Sequence, residues 1–162
     1  VDGFCLVSSD SDFTRLAIRL REAGMKVYGI GEKKTPNPFI VACDKFIYIE
    51  ILKHQSAESE AETAETTKDT KSGYDKITQK EIRFIAATID DVSDDDGWAF
   101  LGDVGSLLQK KQPNFDSRNY GFQKLTPLIK SIPTFEIERR EDSRGHKKLI
   151  YVKIREVKTK KR

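Results

Sequence analysis

The first fifty residues place their apolar side chains in short dense runs separated by polar turns, which is the grammar of an α/β fold. Gly3 to Val7 reads as a short buried strand. Phe13, Leu16, Ala17 and Leu20 recur at helical spacing and predict the inward stripe of a helix from about Asp12 to Ala23. Gly24 stops that helix, and Lys26 to Ile30 forms the next strand. Pro36 and Pro38 block regular structure in the turn-rich Gly31–Pro38 loop, and Phe39 to Cys43 suits a short helix. The β-branched and aromatic run Lys45 to Glu50 predicts a third strand. Strands separated by helices pair in parallel.

Between residues 53 and 73 the periodicity vanishes. The stretch Ser56 to Thr67 has no large apolar side chain, so it cannot offset the entropy of ordering and reads as a disordered acidic tether. A different plan begins near Tyr74. Thr78 and Glu81 have the spacing of a capping box, and Ile82, Ile85, Ala86 and Ile89 line one face of the helix that follows. Leu101, Val104, Leu107 and Leu108 mark a second helix. Phe122, Leu125, Leu128 and Ile129 mark a third, which Pro127 must kink or delay. Phe135–Glu138 and Leu149–Ile154 alternate as two strands, joined by a charged turn around Asp142–Gly145. Three helices followed by a hairpin predict a winged helix-turn-helix. Asp94-Asp95-Asp96-Gly97 invites a calcium reading, but with Gly97 at the sixth position the EF-hand template puts Val92 at the first, where a ligand is required. Capping of the next helix is the expectation there.

Composition narrows the partners. Over 162 residues the net charge is only +3, yet Thr134 to Arg162 carries eleven Lys or Arg against five Asp or Glu. A basic end suits an acidic partner such as nucleic acid, although the last residues, 158–162, read as a solubilising tail. No apolar run approaches a membrane span, and no signal peptide is visible. Cys5 and Cys43 sit in strand-like surroundings without a CxxC, so both are expected as buried reduced thiols of a cytoplasmic protein. His54 and His146 are isolated in polar segments and read as surface residues.

The sharpest chemical candidate lies at Ser8-Ser9-Asp10-Ser11-Asp12-Phe13, directly after the first strand. Ligands of open α/β sheets gather beyond the carboxyl ends of strands, and carboxylates placed there can share a hard cation such as Mg²⁺ or Mn²⁺. The plainer alternative is that Asp10 or Ser11 caps the helix. The run Leu6 to Thr14, followed by Leu20-Arg21-Glu22-Ala23-Gly24-Met25-Lys26-Val27-Tyr28-Gly29-Ile30-Gly31, resembles the second half of an NYN domain, a PIN-like nuclease fold. Asp10 and Asp12 match the family's Ser-Gly-Asp-Ser-Asp-Phe motif, with Ser9 in place of the glycine. Ala42 to Ile47 resembles the approach to the family's closing strand.

The resemblance implies a parallel-sheet domain of which residues 1–52 are the C-terminal half. The first strand with its own metal-binding aspartate, and a helix bearing a further acid, are expected upstream of Val1. It further implies a Mg²⁺- or Mn²⁺-dependent ribonuclease site to which Asp10 and Asp12 contribute as metal ligands and catalytic residues. Two carboxylates alone bind such a cation weakly, so this chain by itself is expected to be inactive.

Residues Trp98, Leu101, Gly102 and Leu107, then Gln112-Pro113-Asn114-Phe115-Asp116 and Asn119-Tyr120-Gly121-Phe122-Gln123-Lys124-Leu125, closely resemble the LOTUS domain, also called OST-HTH. The resemblance implies an α+β winged helix over residues 74–157 that binds RNA, with a family preference for structured, guanine-rich RNA including G-quadruplexes. Side-chain chemistry nominates the contact face. Lys110, Lys111, Arg118, Tyr120, Gln123, Lys124 and Lys130 flank the second and third helices, and Arg139, Arg140, Arg144, His146, Lys147 and Lys148 decorate the wing. Cations neutralise phosphates, while planar side chains stack on bases. The alternatives are a non-catalytic RNA scaffold with a degenerate NYN fold, or a winged helix that docks a protein such as an RNA helicase.

Overall fold

The computed structural model describes residues 1–52, 74–141 and 148–155. The expected acidic tether at 53–73, the wing turn with Arg144, His146 and Lys147, and the basic tail at 158–162 lie outside the described residues, as does His54. The chain divides into two compact units, Val1–Tyr74 with Gln109–Asn119, and Asp75–Leu108 with Tyr120–Arg162.

The first unit is a three-stranded parallel sheet, β1 (Gly3–Val7), β2 (Lys26–Gly31) and β3 (Lys45–Tyr48), in the order β1-β2-β3. Helices α1 (Thr14–Glu22) and α2 (Asn37–Ala42) connect the strands. One face of the sheet is packed: Ala17, Val27, Phe39, Ile40, Ala42, Cys43 and Phe46 form a core against which Leu6, Leu20 and Tyr48 rest. Phe39 and Phe46 meet edge to face at 5.9 Å, an arrangement that the ring quadrupoles favour. Burial pushes the Cys43 thiol up to about 11.

Several expectations change here. Among the described residues β1 is an edge strand rather than a buried one: Phe4, Cys5 and Val7 are exposed, so only Cys43 is a buried thiol. Register explains part of this, because Cys5, Tyr28 and Lys45 share the face opposite the core, together with Val7, Ile30 and Ile47. Phe13 and Leu16 are also substantially exposed, leaving Ala17 and Leu20 as the inward side of α1. Pro38 does not block α2. It occupies the first helical turn, where its missing N–H is no loss. The third strand ends at Tyr48, and residues 49–52 are helical.

Within this same unit, the Phe46 N–H donates to the Pro113 carbonyl at 2.9 Å, and Asn114 Nδ2 donates to Tyr48 Oη at 2.8 Å. The Gln109–Asn119 segment is held internally by Asp116 and Arg118, whose side chains pair at 2.7 Å, and by Asn119 Nδ2 donating to the Asn114 carbonyl at 3.0 Å.

The second unit contains α3 (Gln79–Val92), β4 (Trp98–Phe100), most of α4 (Leu101–Lys111), α5 (Leu125–Ser131), β5 (Phe135–Glu141) and β6 (Lys148–Ile154). The capping box at Thr78 and Glu81 is present, with the Glu81 carboxylate accepting from the Thr78 backbone N–H and hydroxyl. Burial acts to raise the Glu81 pKa, but these hydrogen bonds outweigh it and hold it below the usual range. Ile85, Ile89, Ala99, Val104, Leu108, Leu128, Ile129 and Val152 are almost fully buried and form the core.

The expected hairpin is a three-stranded antiparallel sheet, in the order β4-β6-β5. The added strand is Trp98–Phe100. Asp94 Oδ1 accepts from the N–H groups of Asp96 (3.1 Å) and Trp98 (2.7 Å), so the acidic loop closes a turn into this strand rather than capping a helix. Gly97 takes a left-handed φ of 77° in that turn. Pro127 delays the third helix, which starts at Leu125 and leaves Phe122 outside it. The architecture is therefore a parallel α/β sheet followed by helices and an antiparallel winged sheet.

Candidate nucleic-acid interface

Asp10 and Asp12 stand just beyond the carboxyl end of β1, and both are exposed. Local geometry holds the loop: the Ser8 N–H donates to the Ile30 carbonyl at 2.9 Å, and the Asp10 N–H donates to Ser8 Oγ at 3.1 Å. Asp10 Oδ1 accepts from the Asp12 N–H at 3.0 Å and caps the 3₁₀ turn Ser11–Phe13 that leads into α1. The helix-cap reading of Asp10 is thus realised in the structure. Replacing Asp10 by Ala should lower stability by about 1 kcal/mol, whereas Asn should cost only a few tenths, about the spread among good caps. Urea denaturation of the two variants checks this, and equal losses would show that the capping bond contributes little.

Two further acids reach the same carboxyl edge, and the sequence motifs do not single them out. Glu32 directly follows β2, and its N–H donates to Ser9 Oγ at 2.9 Å. Glu50 follows β3, and its Oε1 accepts from the Lys33 N–H at 3.1 Å. An acid immediately after a parallel strand is the signal that could have found Glu32, whereas Glu50 lies two residues past β3, in the helical stretch 49–52. Even so, among the described residues no group of three or more His, Cys, Asp or Glu is placed to hold a metal ion. The described residues therefore do not bring together a Mg²⁺ or Mn²⁺ site by themselves.

The nominated RNA-facing side chains differ in how far they are committed to the fold. Lys110 and Lys111 lie exposed in the last turn of α4, and Lys130 lies exposed in the last turn of α5. There they also offset the helix dipole. Gln123 is exposed, and Lys124, also exposed, is the extended N-cap residue of α5. Tyr120 is partly buried. Arg118 is committed to Asp116, with Nε at 3.0 Å and Nη2 at 2.7 Å from its carboxylate. Arg139 is exposed on β5. Arg140 lies over the rings of Trp98 (5.0 Å) and Tyr151 (4.6 Å) while donating to Glu138 at 3.0 Å. Lys148 opens β6.

Family models agree with this architecture. The NYN domain model matches residues 1–50, and the OST-HTH/LOTUS domain model matches residues 74–146. Among solved structures, the chain is similar to an uncharacterized protein from Nitrosomonas europaea, 32% identical over 58% of this chain and 90% of that one, with a TM-score of 0.46. It is also similar to a protein from Chromobacterium violaceum, 28% identical over 51% of this chain and 87% of that one, with a TM-score of 0.40. No match was found among curated proteins. Among the described residues, no helix is long and apolar enough to cross a membrane. The chain therefore joins NYN-family sequence, of the PIN-like nuclease superfamily, to an OST-HTH/LOTUS domain in that order, and is an RNA-associated protein.

Proposed function

We propose that this protein binds structured or guanine-rich RNA, G-quadruplexes included, through its LOTUS domain. The carrying observation is the LOTUS match over residues 74–146, supported by exposed cations at Lys110, Lys111, Lys124, Lys130 and Arg139. On this reading those side chains neutralise phosphates, and Asp10 and Asp12 supply two carboxylates to a Mg²⁺- or Mn²⁺-dependent ribonuclease site that further acids must complete. The free thiols at Cys5 and Cys43 suit a reducing compartment, and the cytoplasm is the proposed location.

Binding measured by anisotropy across a salt series tests the electrostatic part. Changing Lys110, Lys111 and Lys124 together to Gln should reduce the slope of log affinity against log salt by about 2, at roughly 0.7 for each phosphate that is no longer neutralised. A folded triple variant with unchanged affinity and slope would remove these residues from the interface.

A second reading, a non-catalytic RNA-binding scaffold, is favoured by the use of Asp10 as a cap. Incubating this chain with labelled RNA and Mg²⁺ or Mn²⁺ should give no cleavage. Chelator-sensitive cleavage that disappears on Asp10→Asn and Asp12→Asn substitution would show that these carboxylates serve a complete site.

A further inference from the structure

The outward face of the β4-β6-β5 sheet carries a side-chain arrangement that the winged-helix core does not require. Ala99 and Val152 are fully buried, so the sheet's inner face is settled. Register then places Trp98 opposite Lys153 and Phe100 opposite Tyr151 on the other face, with Glu136 and Glu138 continuing those rows on β5. Trp98, Phe100 and Tyr151 are each partly exposed. The Phe100 and Tyr151 ring centroids are 5.9 Å apart. The Arg140 guanidinium lies over Trp98 and Tyr151, and Glu138 fixes it through Nε at 3.3 Å and Nη2 at 3.0 Å. Lys153 Nζ lies 6.0 Å from the Trp98 ring centroid and is tethered to the Asp96 carbonyl at 2.6 Å.

We propose that Trp98, Tyr151 and the Arg140 guanidinium form a stacking platform for an unpaired purine base of bound RNA. The inference rests on the RNA-binding reading above and adds a second binding surface, distinct in chemistry from the exposed lysines. Bases offer π-faces that stack on aromatic rings and guanidinium planes, and sheet-borne aromatics serve this purpose in other RNA-binding folds. The charges on this face decide the kind of interaction. Arg140 is already matched by Glu138, and Lys153 stands across from Glu136, so the platform offers little net charge to a phosphate. It is suited to the base. The hairpin as a whole remains attractive to an anionic strand, since Phe135 to Ile154 carries six Lys or Arg against four Asp or Glu. Glu138 also pre-orders the long Arg140 side chain, which lowers the ordering cost of binding.

The main test needs no variant, because Trp98 is the only tryptophan in the chain. The protein is titrated with a short guanine-rich RNA and with a ribose-phosphate strand of equal length lacking bases. Anisotropy of the labelled strands reads total binding, and Trp98 emission reads stacking. Quenching of about twofold or more by the RNA, with little change on binding the abasic strand, is the expected result. A Tyr151→Leu variant should weaken RNA binding by about tenfold with an unchanged salt slope, since one stacked base contributes that much or more. RNA binding that leaves Trp98 emission unmoved, or equal quenching by the abasic strand, overturns the platform and leaves the electrostatic reading intact. Quenching by an arginine-rich peptide but not by RNA also overturns it. The absence of any binding in the anisotropy channel overturns both readings.

Discussion

Replacing Gly29 by Ala should destabilise the parallel-sheet unit by about 3 kcal/mol, at the upper end of ordinary overpacking costs. A Cβ at Gly29 would overlap Phe46 Cδ2 and lie 2.8 Å from Cys43 Sγ, and both side chains are fully buried. Neither neighbour can swing into solvent. Phe46 is also held edge to face by Phe39 at 5.9 Å and Tyr48 at 5.6 Å, so moving it disturbs the whole aromatic row. The backbone at Gly29 does not demand glycine, because its φ is not positive. The effect is thus one of space alone. Chemical denaturation followed by far-UV circular dichroism measures it, and a Gly29→Ala/Phe46→Leu double variant should recover part of the loss. A neutral Gly29→Ala change would show that the core is looser than the distances indicate.

Removing the Asp116 carboxylate should cost about 2 kcal/mol, the scale of hydrogen bonds to a charged group. Asp116 accepts from the Arg118 backbone N–H at 2.9 Å and from its guanidinium at 3.0 and 2.7 Å, and the two side chains are only 12% and 24% exposed respectively. Asp116→Asn would leave the guanidinium half-buried without its counter-charge. The pair also predicts a pH dependence. Burial alone would raise the Asp116 pKa, but the Arg118 hydrogen bonds and charge dominate and hold it below the ordinary carboxylate range. A carboxylate with a lowered folded pKa stabilises the fold above its unfolded pKa, about 3.9, and that contribution disappears as pH falls through the lower folded value. Arg118, raised further by Asp116, stays charged throughout this window. Stability should therefore drop below about pH 4, and the Asn variant should show a shallower drop. Parallel acid curves for wild type and variant would contradict the assignment.

These residues mark the boundary between what was legible in the sequence and what was not. The capping box at Thr78 and Glu81 was legible because its partners stand three residues apart and the bonds are local. The stop at Gly24 was legible too, since its φ of 81° suits glycine. The strand Trp98–Phe100 was not, because three residues are too few to display a period of two. Its partner, β6, lies about fifty residues away, and only pairing makes it a strand. Likewise, the sequence marks Arg118 and Arg140 as phosphate-facing cations. Their carboxylate partners are two residues away in each case, but whether a pair forms depends on backbone geometry that composition does not encode.

By itself, the sequence determined the order of the two blocks, the helical stripes, the parallel character of the first sheet and the family motifs, because all of these rest on local periodicity or short spacing. Tertiary structure alone decided which face of each sheet is covered. It leaves Cys5 and Val7 exposed while Cys43 is buried, although all three occupy similar apolar runs. It also brought Glu32 and Glu50 to the carboxyl edge of the sheet, and set Arg140 across Trp98 and Tyr151. The physical reason is common to these cases: burial and side-chain pairing depend on residues far apart in the chain, and they are fixed only when strands choose their neighbours and register.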